Sequence, residues 1–207
     1  MTDLFISNIK TGVAEQSVFL DDGDDLILAG SVVTGLTGPS GSGKTLLFRA
    51  IADLDPARGK LMLDSMPRET MPAHEWRSKV AYVPAESAWW YETVGDHFHS
   101  AIDLEFLAQL GFTTDVLDWQ VSRLSSGEKQ RLALLRCLAG SPDVLLLDEP
   151  TSSLDSARSH ELEQVVLAYA RRCNAAVFWI SHDRHQLQRI AKQVYTIHPG
   201  GRIGVLH

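Results

Sequence analysis

The residues with the clearest chemical potential form the run GPSGSGKT at positions 38–45. Its glycines let the backbone turn its N–H groups inward around an anion at a helix start. Lys44 can place a positive charge on the β- and γ-phosphates of a nucleotide, and the Thr45 hydroxyl is suited to Mg²⁺. A glycine-rich turn without a ligand is the alternative. The strand pattern before the run and the helical pattern after it favour nucleoside triphosphate binding, with these contacts: Gly38, Pro39, Ser40, Gly41, Ser42, Gly43, Lys44, Thr45 and Leu46.

In the run VLLLDEP, at positions 144–150, a pair of carboxylates follows four apolar residues. Asp148 comes at the end of a predicted buried strand, where it can meet a metal ion through its water shell. Glu149 is placed to accept a proton from an attacking water. The alternative is that both residues only cap the next helix, which begins near 152–155. Four apolar strand residues directly before the pair favour the catalytic interpretation.

A helix start and a histidine add two weaker signals. Ser125, Ser126 and Gly127 open a helix in LSSGEKQR, at positions 124–131, and its exposed N–H groups could hold a second anion. Taken alone, that pattern is typical of an ordinary helix cap with Glu128 in the first turn. His182 follows the strand VFWIS, and such a histidine alone is more typical of packing at a strand end.

Together, however, these motifs have a familiar order. GPSGSGKT, LSSGEKQR, VLLLDEP, SSLD and ISHD resemble the nucleotide-binding subunit of an ABC transporter, and the likeness runs from about Gly30 to Asp183. AVFWISHD and the short helical region more loosely resemble the small ATPases of metal- and iron-export systems. The combined set is far more specific than any one motif.

The resemblance implies an ATP-driven homodimer that uses ATP and Mg²⁺. Each nucleotide would lie between the 38–45 loop of one subunit and the 125–127 segment of the other, with Ser125, Ser126 and Gly127 reaching the γ-phosphate. The resemblance also assigns roles to single residues. Lys44 would hold phosphate, and Thr45 and Asp148 would hold the metal. Glu149 would be the general base, His182 would contact the γ-phosphate and hold the water, and Asp155 would serve communication across the dimer.

Three positions depart from the pattern of that family. Ala85 stands where a glutamine usually bridges the metal, the attacking water and the helical lobe; Glu86 from the next position, or a water molecule, could replace it at the metal. Ser126 replaces a glycine and adds one Cβ near the phosphate. The aromatic residue expected to stack on adenine is missing near Thr11–Glu15, and for Phe19 the alternatives are that role and core packing.

The elements that must position these residues alternate between strand and helix. Strands are predicted at 32–36, 60–64, 80–84, 144–148 and 175–181, and helices at 44–53, 94–110, 126–139 and 156–172. The near-continuous apolar runs at 144–147 and 175–180 indicate strands covered on both faces. The pattern predicts an α/β fold: a P-loop NTPase core with a mostly parallel sheet, a small N-terminal antiparallel β addition, a short α-helical lobe and a C-terminal hairpin turning at 199–201. We expect one domain over 1–207, with the lobe inserted at about 87–140.

An aromatic run, Trp89, Trp90 and Tyr91, follows the 80–84 strand. Three adjacent side chains cannot all face inward, so at least one should be exposed. In the fold that the sequence resembles, this segment borders the groove where a membrane permease docks, which makes the run a candidate docking site. Packing inside the helical lobe is the alternative. His97 and His99 are expected to be exposed and to share no metal ion.

Composition limits the class of protein. The 207 residues carry a formal net charge of −7, which argues against a nucleic-acid partner. The N-terminus lacks the pattern of a signal peptide, and no apolar run approaches the ~18 residues that span a bilayer. We therefore expect a cytoplasmic ATPase, peripheral at the inner face of the membrane through an integral permease. The alternatives are a soluble ABC ATPase of repair, translation or cofactor assembly, and, more distantly, a P-loop kinase.

Overall fold

The computed structural model describes residues 2–13, 16–21 and 23–206. The strands, in chain order, are β1 Asp3–Val13, β2 Gln16–Phe19, β3 Asp25–Ala29, β4 Val33–Thr37, β5 Ala57–Leu63, β6 Met66–Pro67, β7 Val80–Val83, β8 Val144–Asp148, β9 Ala176–Ile180, β10 Gln193–Ile197 and β11 Ile203–Val205. The α-helices are α1 Lys44–Ile51, α2 Ala73–Lys79, α3 Leu104–Gln109, α4 Ser126–Ala139, α5 Ser156–Cys173 and α6 Arg184–Ile190.

The described strands form two sheets. The larger has the order β11-β10-β4-β9-β8-β7, and its neighbours run parallel except for the C-terminal hairpin β10–β11. In the smaller sheet β1 pairs antiparallel with β2, β3 and β5. This confirms the predicted parallel core, the N-terminal antiparallel addition and the hairpin. The 60–64 strand, however, belongs to the antiparallel sheet, in β5, and not to the parallel one.

Hydrophobic packing covers both faces of the parallel sheet. Leu145 and Leu147 of β8 face the core shared with helices α3, α4 and α5, whereas Val144 and Leu146 face the core shared with α1 and the antiparallel sheet. All four are completely buried. Because successive strand side chains point to opposite faces, two cores explain why this strand is apolar at every position before Asp148.

The predicted helix over 94–110 is wrong. Only a 3-10 turn at Gly95–His97 and the short helix α3 form there, and the residues between them are not helical. Two local contacts explain the break. The His97 ring is bound to backbone atoms of 90–93, and Asp103 Oδ1 accepts the N–H groups of Glu105 and Phe106, so a new helix begins after Asp103.

Other predicted helices agree better with the structure. The 126–139 helix is confirmed as α4, and the 156–172 helix as α5 with one more residue, while α1 ends at Ile51 and not at Asp53. The short helices α2 and α6 are absent from the predicted set. None of the described helices combines the length and the apolar character needed to cross a membrane.

Candidate nucleotide site

The carboxyl ends of three neighbouring parallel strands bring the predicted catalytic residues together. β4 leads into the 38–45 loop, β8 ends at Asp148, and β9, which lies between them, leads to His182. This is the edge of an open parallel sheet at which ligands bind. Residues more than a hundred positions apart in the chain therefore meet at one place.

The loop itself is held by glycine conformations and by Lys44. Gly43, the N-cap of α1, has φ 96°, and an added Cβ there would come within 2.2 Å of a Val18 methyl group. Position 43 thus requires glycine both for its backbone angle and for the close approach of β2. The Lys44 ammonium donates to the carbonyls of Gly38 and Pro39, each at 3.0 Å. Burial lowers the pKa of Lys44, while nearby Glu149 and Asp148 oppose that shift.

Asp148 forms the centre of the predicted metal site. Its Oδ2 accepts the hydroxyl of Thr45 at 2.7 Å and the hydroxyl of Tyr82 at 3.1 Å. The Asp148–Thr45 contact joins the end of β8 to the start of α1, as the sequence predicts for two residues that share an ion. Tyr82 is missing from the sequence-based set of site residues. Burial, followed by the charge of Asp148, raises the pKa of Tyr82, so the phenol stays protonated and can donate.

Glu149 and His182 face each other across the site. His182 Nε2 lies 3.3 Å from Glu149 Oε1, but the contact lacks hydrogen-bond geometry, and Oε1 is buried without a partner among the described residues. Glu149 also has φ 48°, which is uncommon for a residue other than glycine. Burial is the largest influence on its pKa and raises it, against the opposing effect of His182. A carboxylate with a raised pKa is a better proton acceptor.

These orphaned polar atoms test whether Mg-ATP fits the site. Ser42 Oγ in the loop is buried and, like Glu149 Oε1, has no hydrogen-bond partner among the described residues. Buried polar atoms without partners are uncommon and point to a missing ligand or water. Beside the loop a cavity of about 340 Å³ is lined by Ser17, the segment 39–42 and the hairpin turn 198–201. The donors and the carboxylates suit a magnesium-bound triphosphate, and the cavity adjoins the loop that would hold its phosphates.

The 125–127 segment, in contrast, has its contacts elsewhere in its own chain. Ser125 caps α4: its Oγ accepts the Glu128 N–H at 3.3 Å, and its own N–H and hydroxyl donate to the Glu128 carboxylate. Ser126 is exposed, and a Cβ added at Gly127 would lie 3.0 Å from the Ser153 carbonyl. Asp155 caps α5 by accepting the Arg158 N–H. Among the described residues, no hydrogen bond of Ser125–Gly127 or Asp155 reaches Lys44, Thr45, Asp148, Glu149 or His182.

Glu86 is exposed and takes part in no hydrogen bond or ion pair among the described residues. The region expected to hold an adenine-stacking residue, Thr11–Glu15, lies partly outside the described residues, at Ala14 and Glu15. Thr11 is buried with its hydroxyl on the Pro56 carbonyl, and Phe19 is half-buried.

The aromatic run is organised around a histidine. His97 Nε2 accepts the N–H groups of Trp90 and Tyr91 at 2.9 and 3.0 Å, and its Nδ1–H donates to the Thr93 carbonyl at 2.9 Å. His97 is only 1% exposed, so the expectation of an exposed histidine is wrong at 97, whereas His99 is exposed as expected. The pattern alone could not show this role, because the prediction placed the two histidines on opposite sides of a helix over 94–110 that does not form.

Comparison with known proteins agrees with this geometry. The family model described as ABC transporter matches residues 23–152. The "Probable iron export ATP-binding protein FetA" of Escherichia coli K12 is 34% identical over 176 residues, covering 79% of this chain and 78% of that protein. A "Molybdenum import ATP-binding protein ModC" of Aromatoleum aromaticum is 35% identical over 85% of this chain but only 51% of that protein, so the chain spans about half of this longer relative.

A solved ATP-binding cassette, a dimer in a post-hydrolysis state with ADP and phosphate, matches 99% of both chains with TM-score 0.79 at 21% identity, which is a likeness of fold. The chain belongs to the ABC transporter family. Within that family it is an ATP-binding subunit, and its fold is that of an ABC ATPase.

Proposed function

We propose that this chain hydrolyses Mg-ATP as a homodimer and drives a membrane permease that is a separate chain. The observation that carries the proposal is the division of the site. Lys44, Asp148 and Glu149 gather at the strand ends, while Ser125–Gly127 contacts Glu128 and Ser153 of its own chain. A second copy in opposite orientation would supply the 125–127 segment to each nucleotide and complete two equivalent sites.

Each residue then has a definite task in the reaction. Lys44 and the backbone N–H groups of 38–46 hold the phosphates, with Thr45 and Asp148 holding the ion. Mg²⁺ would supply positive charge against the negative charge that develops on the transferred phosphoryl group. Glu149 accepts the proton of the attacking water, and His182, 3.3 Å away, orients that water and the γ-phosphate. Asp155 lies in the loop that communicates across the dimer.

The site also supports a cycle in which two subunits associate on ATP binding and separate after hydrolysis. One subunit provides cationic and dipolar groups on only one side of the triphosphate, so ATP holds two subunits together, and hydrolysis removes that link. A permease bound to the moving parts can use the difference between the two states. We place the chain in the cytoplasm, at the membrane surface, as one domain over 1–207 with a helical lobe at about 87–140.

The 84–91 segment suits a permease contact because it is tied to the helix that carries the 125–127 segment. Gln130 of α4 is buried and donates to the Pro84 carbonyl at 3.1 Å. The Arg136 guanidinium covers the Trp89 and Trp90 rings at 4.6 and 4.9 Å. Movement of α4 during dimer closure would therefore displace the aromatic run. The relatives named for iron export and molybdenum import suggest that the permease, and not this subunit, sets cargo and direction.

The test of the dimer uses Glu149→Gln, which preserves shape but removes the proton acceptor. We expect this variant to bind Mg-ATP and remain dimeric in analytical ultracentrifugation, and to be monomeric without nucleotide. Adding Ser125→Arg should abolish the dimer, whereas adding Ser100→Arg, at an exposed position outside the 125–127 segment, should not. A Glu149→Gln protein that stays monomeric in saturating Mg-ATP would contradict the composite site.

A further inference from the structure

We propose that Tyr82 is a positioning residue for the metal site: its hydroxyl holds Asp148 in the orientation that Mg²⁺ requires. It thereby provides, from β7, the link to the metal that Ala85 cannot make. The inference rests on the proposed function, because it concerns the ion of the same site. It assigns Tyr82 no contact with the nucleotide.

The hydrogen-bond pattern at Asp148 carries the argument. Tyr82 and Thr45 donate to the same carboxylate oxygen, Oδ2, at 3.1 and 2.7 Å. Two donors from two different elements, β7 and α1, restrain the rotation of the carboxylate about its Cβ–Cγ bond. The second oxygen, Oδ1, accepts neither of these two bonds, and in this proposal it accepts from an ion's water shell. Without the phenol, the Thr45 hydroxyl would be the one remaining side-chain donor to Asp148 among the described residues.

The phenol is itself held firmly. Tyr82 pairs with Leu146 in the register between β7 and β8. Leu146 lies two residues before Asp148 on the same strand. Its ring meets Phe48 of α1 edge-on, with ring centroids 6.4 Å apart. An ionised carboxylate can only accept, and a protonated phenol is the matching donor. A side chain fixed by strand register and by an aromatic neighbour loses little freedom in making that bond.

Strand β7 is also the element that leads into the 84–91 segment. A methyl group at Ala85 has no polar atom for a metal or water, and Glu86 is exposed without a polar partner among the described residues. Tyr82 lies three residues before Ala85 and does reach the carboxylate. The connection between the metal site and this strand therefore passes through the phenol.

The test removes only the hydroxyl, with Tyr82→Phe, in the Glu149→Gln background so that no ATP is consumed. ATP affinity is measured by calorimetry in EDTA, and the Mg²⁺ concentration for half-maximal rise of Tm is measured at saturating ATP. We expect metal-free ATP affinity to change by less than about twofold and the Mg²⁺ midpoint to rise about tenfold, as for loss of one charge-assisted hydrogen bond.

Two matched variants separate positioning from structure. Tyr169→Phe removes another buried phenol, which donates to the Pro142 carbonyl, and should lower Tm without moving the Mg²⁺ midpoint. Glu86→Gln should leave the midpoint unchanged. An unchanged midpoint in Tyr82→Phe, or a shift only in Glu86→Gln, would overturn the proposal. A parent protein with no ATP-dependent rise of Tm would instead contradict the proposed function.

A measurement with the Tyr82 hydroxyl intact covers the case in which Tyr82→Phe fails to fold. The chain contains four tyrosines, at positions 82, 91, 169 and 195, so fluorotyrosine labelling gives four ¹⁹F resonances that can be assigned by Tyr→Phe at the other three sites. Adding Mg²⁺ to the ATP complex should shift the Tyr82 resonance more than that of Tyr169. An unmoved Tyr82 resonance would exclude the positioning role.

Discussion

At the scale of single residues, Lys44 shows how the site balances charge before any ligand contributes. Its side chain is only 7% exposed, and its ammonium donates to two carbonyls of the 38–45 loop. Glu149 and Asp148 lie close enough to raise its pKa, against the larger lowering by burial. One cation thus interacts with two carboxylates and also shapes the loop. Removing it should affect both functions.

For Lys44→Ala we expect loss of ATP binding by at least about a hundredfold, the scale of removing a charge-assisted contact from a buried site. Tm without ligand should fall by a few degrees, since two carboxylates lose their neutralising partner. The added stabilisation by Mg-ATP should vanish, because a ligand that no longer binds cannot shift unfolding. Thermal shift with and without Mg-ATP measures both effects. Lys192→Ala, at an exposed position, is the control; an unchanged ATP-induced shift in Lys44→Ala would contradict the loop's role.

Which site residues can be predicted from the sequence depends on how they reach the site. Asp148 ends β8 and His182 comes just after β9, while Thr45 lies at the start of the helix that the 38–45 loop joins to β4. Their meeting therefore depends mainly on parallel pairing of the strands. Tyr82 reaches Asp148 from the body of β7, through the register of that strand and the position of α1. Neither the register of β7 nor the position of α1 is encoded in the residues near Tyr82. His97 likewise acts on the backbone of 90–93, which no periodicity reveals.

At the scale of elements, helix α4 illustrates a start that the local sequence determines completely. The Ser125 side chain accepts the backbone N–H of Glu128, and the Glu128 side chain accepts the backbone N–H of Ser125. The helix ends where its apolar spacing ends. The 94–110 stretch has comparable apolar spacing but no such cap at 94. Its only strong cap is Asp103, and the structure begins α3 there. The position of a capping residue determines where α4 and α3 begin, whereas apolar spacing alone predicts a wrong start at 94.

The α4 cap predicts a specific pH dependence. Hydrogen bonds from the Ser125 backbone and then its hydroxyl lower the pKa of Glu128 below its ordinary value of 4.5. A carboxyl with a lowered folded-state pKa adds stability above the unfolded pKa, and this stability is lost as pH falls through the folded pKa. For Glu128→Gln we expect a free energy of unfolding lower by about 1 kcal/mol at pH 7.

That difference should shrink as urea denaturation is repeated from pH 5 to pH 3, since protonation weakens the same bond in the parent protein. Glu69→Gln, at an exposed position, should show no pH-dependent difference from the parent. If the effect of Glu128→Gln were constant over this range, the carboxylate charge would have no part in the cap.

At the scale of the whole molecule, helix α4 contributes to two surfaces, one at its start and one along its later residues. In the proposed dimer the start of the helix presents Ser125–Gly127 to a second copy, and its later residues contact the aromatic run. Trp90 and Tyr91 are 59% and 48% exposed, while Trp89 packs against the core. The predicted exposure of at least one aromatic is therefore confirmed. Docking on these rings stays a prediction, and its physical basis is their rigidity.

That rigidity comes from His97, whose ring accepts two backbone N–H groups and lies 4.9 and 5.1 Å from the rings of Trp90 and Tyr91. A cavity of about 450 Å³ beside Tyr91 is lined also by Glu92, Gln120, Val121 and Ser122. Large rings held in place next to a concave surface bind a partner with little loss of conformational freedom. A membrane permease is the partner that the family membership favours.

We therefore expect Trp90→Ala and Tyr91→Ala each to weaken assembly with the permease by about thirtyfold or more, the cost of truncating an interface anchor. ATP affinity of the isolated subunit should stay within about twofold, and its Tm within a few degrees, because both rings are largely exposed. Calorimetry on the subunit and titration of the detergent-solubilised permease measure the two properties separately. Leu104→Ala, which truncates an equally exposed apolar side chain at the start of α3, should change neither. If both aromatic variants unfolded the subunit, or bound the permease as the parent does, the rings would be packing residues and the docking surface would lie elsewhere.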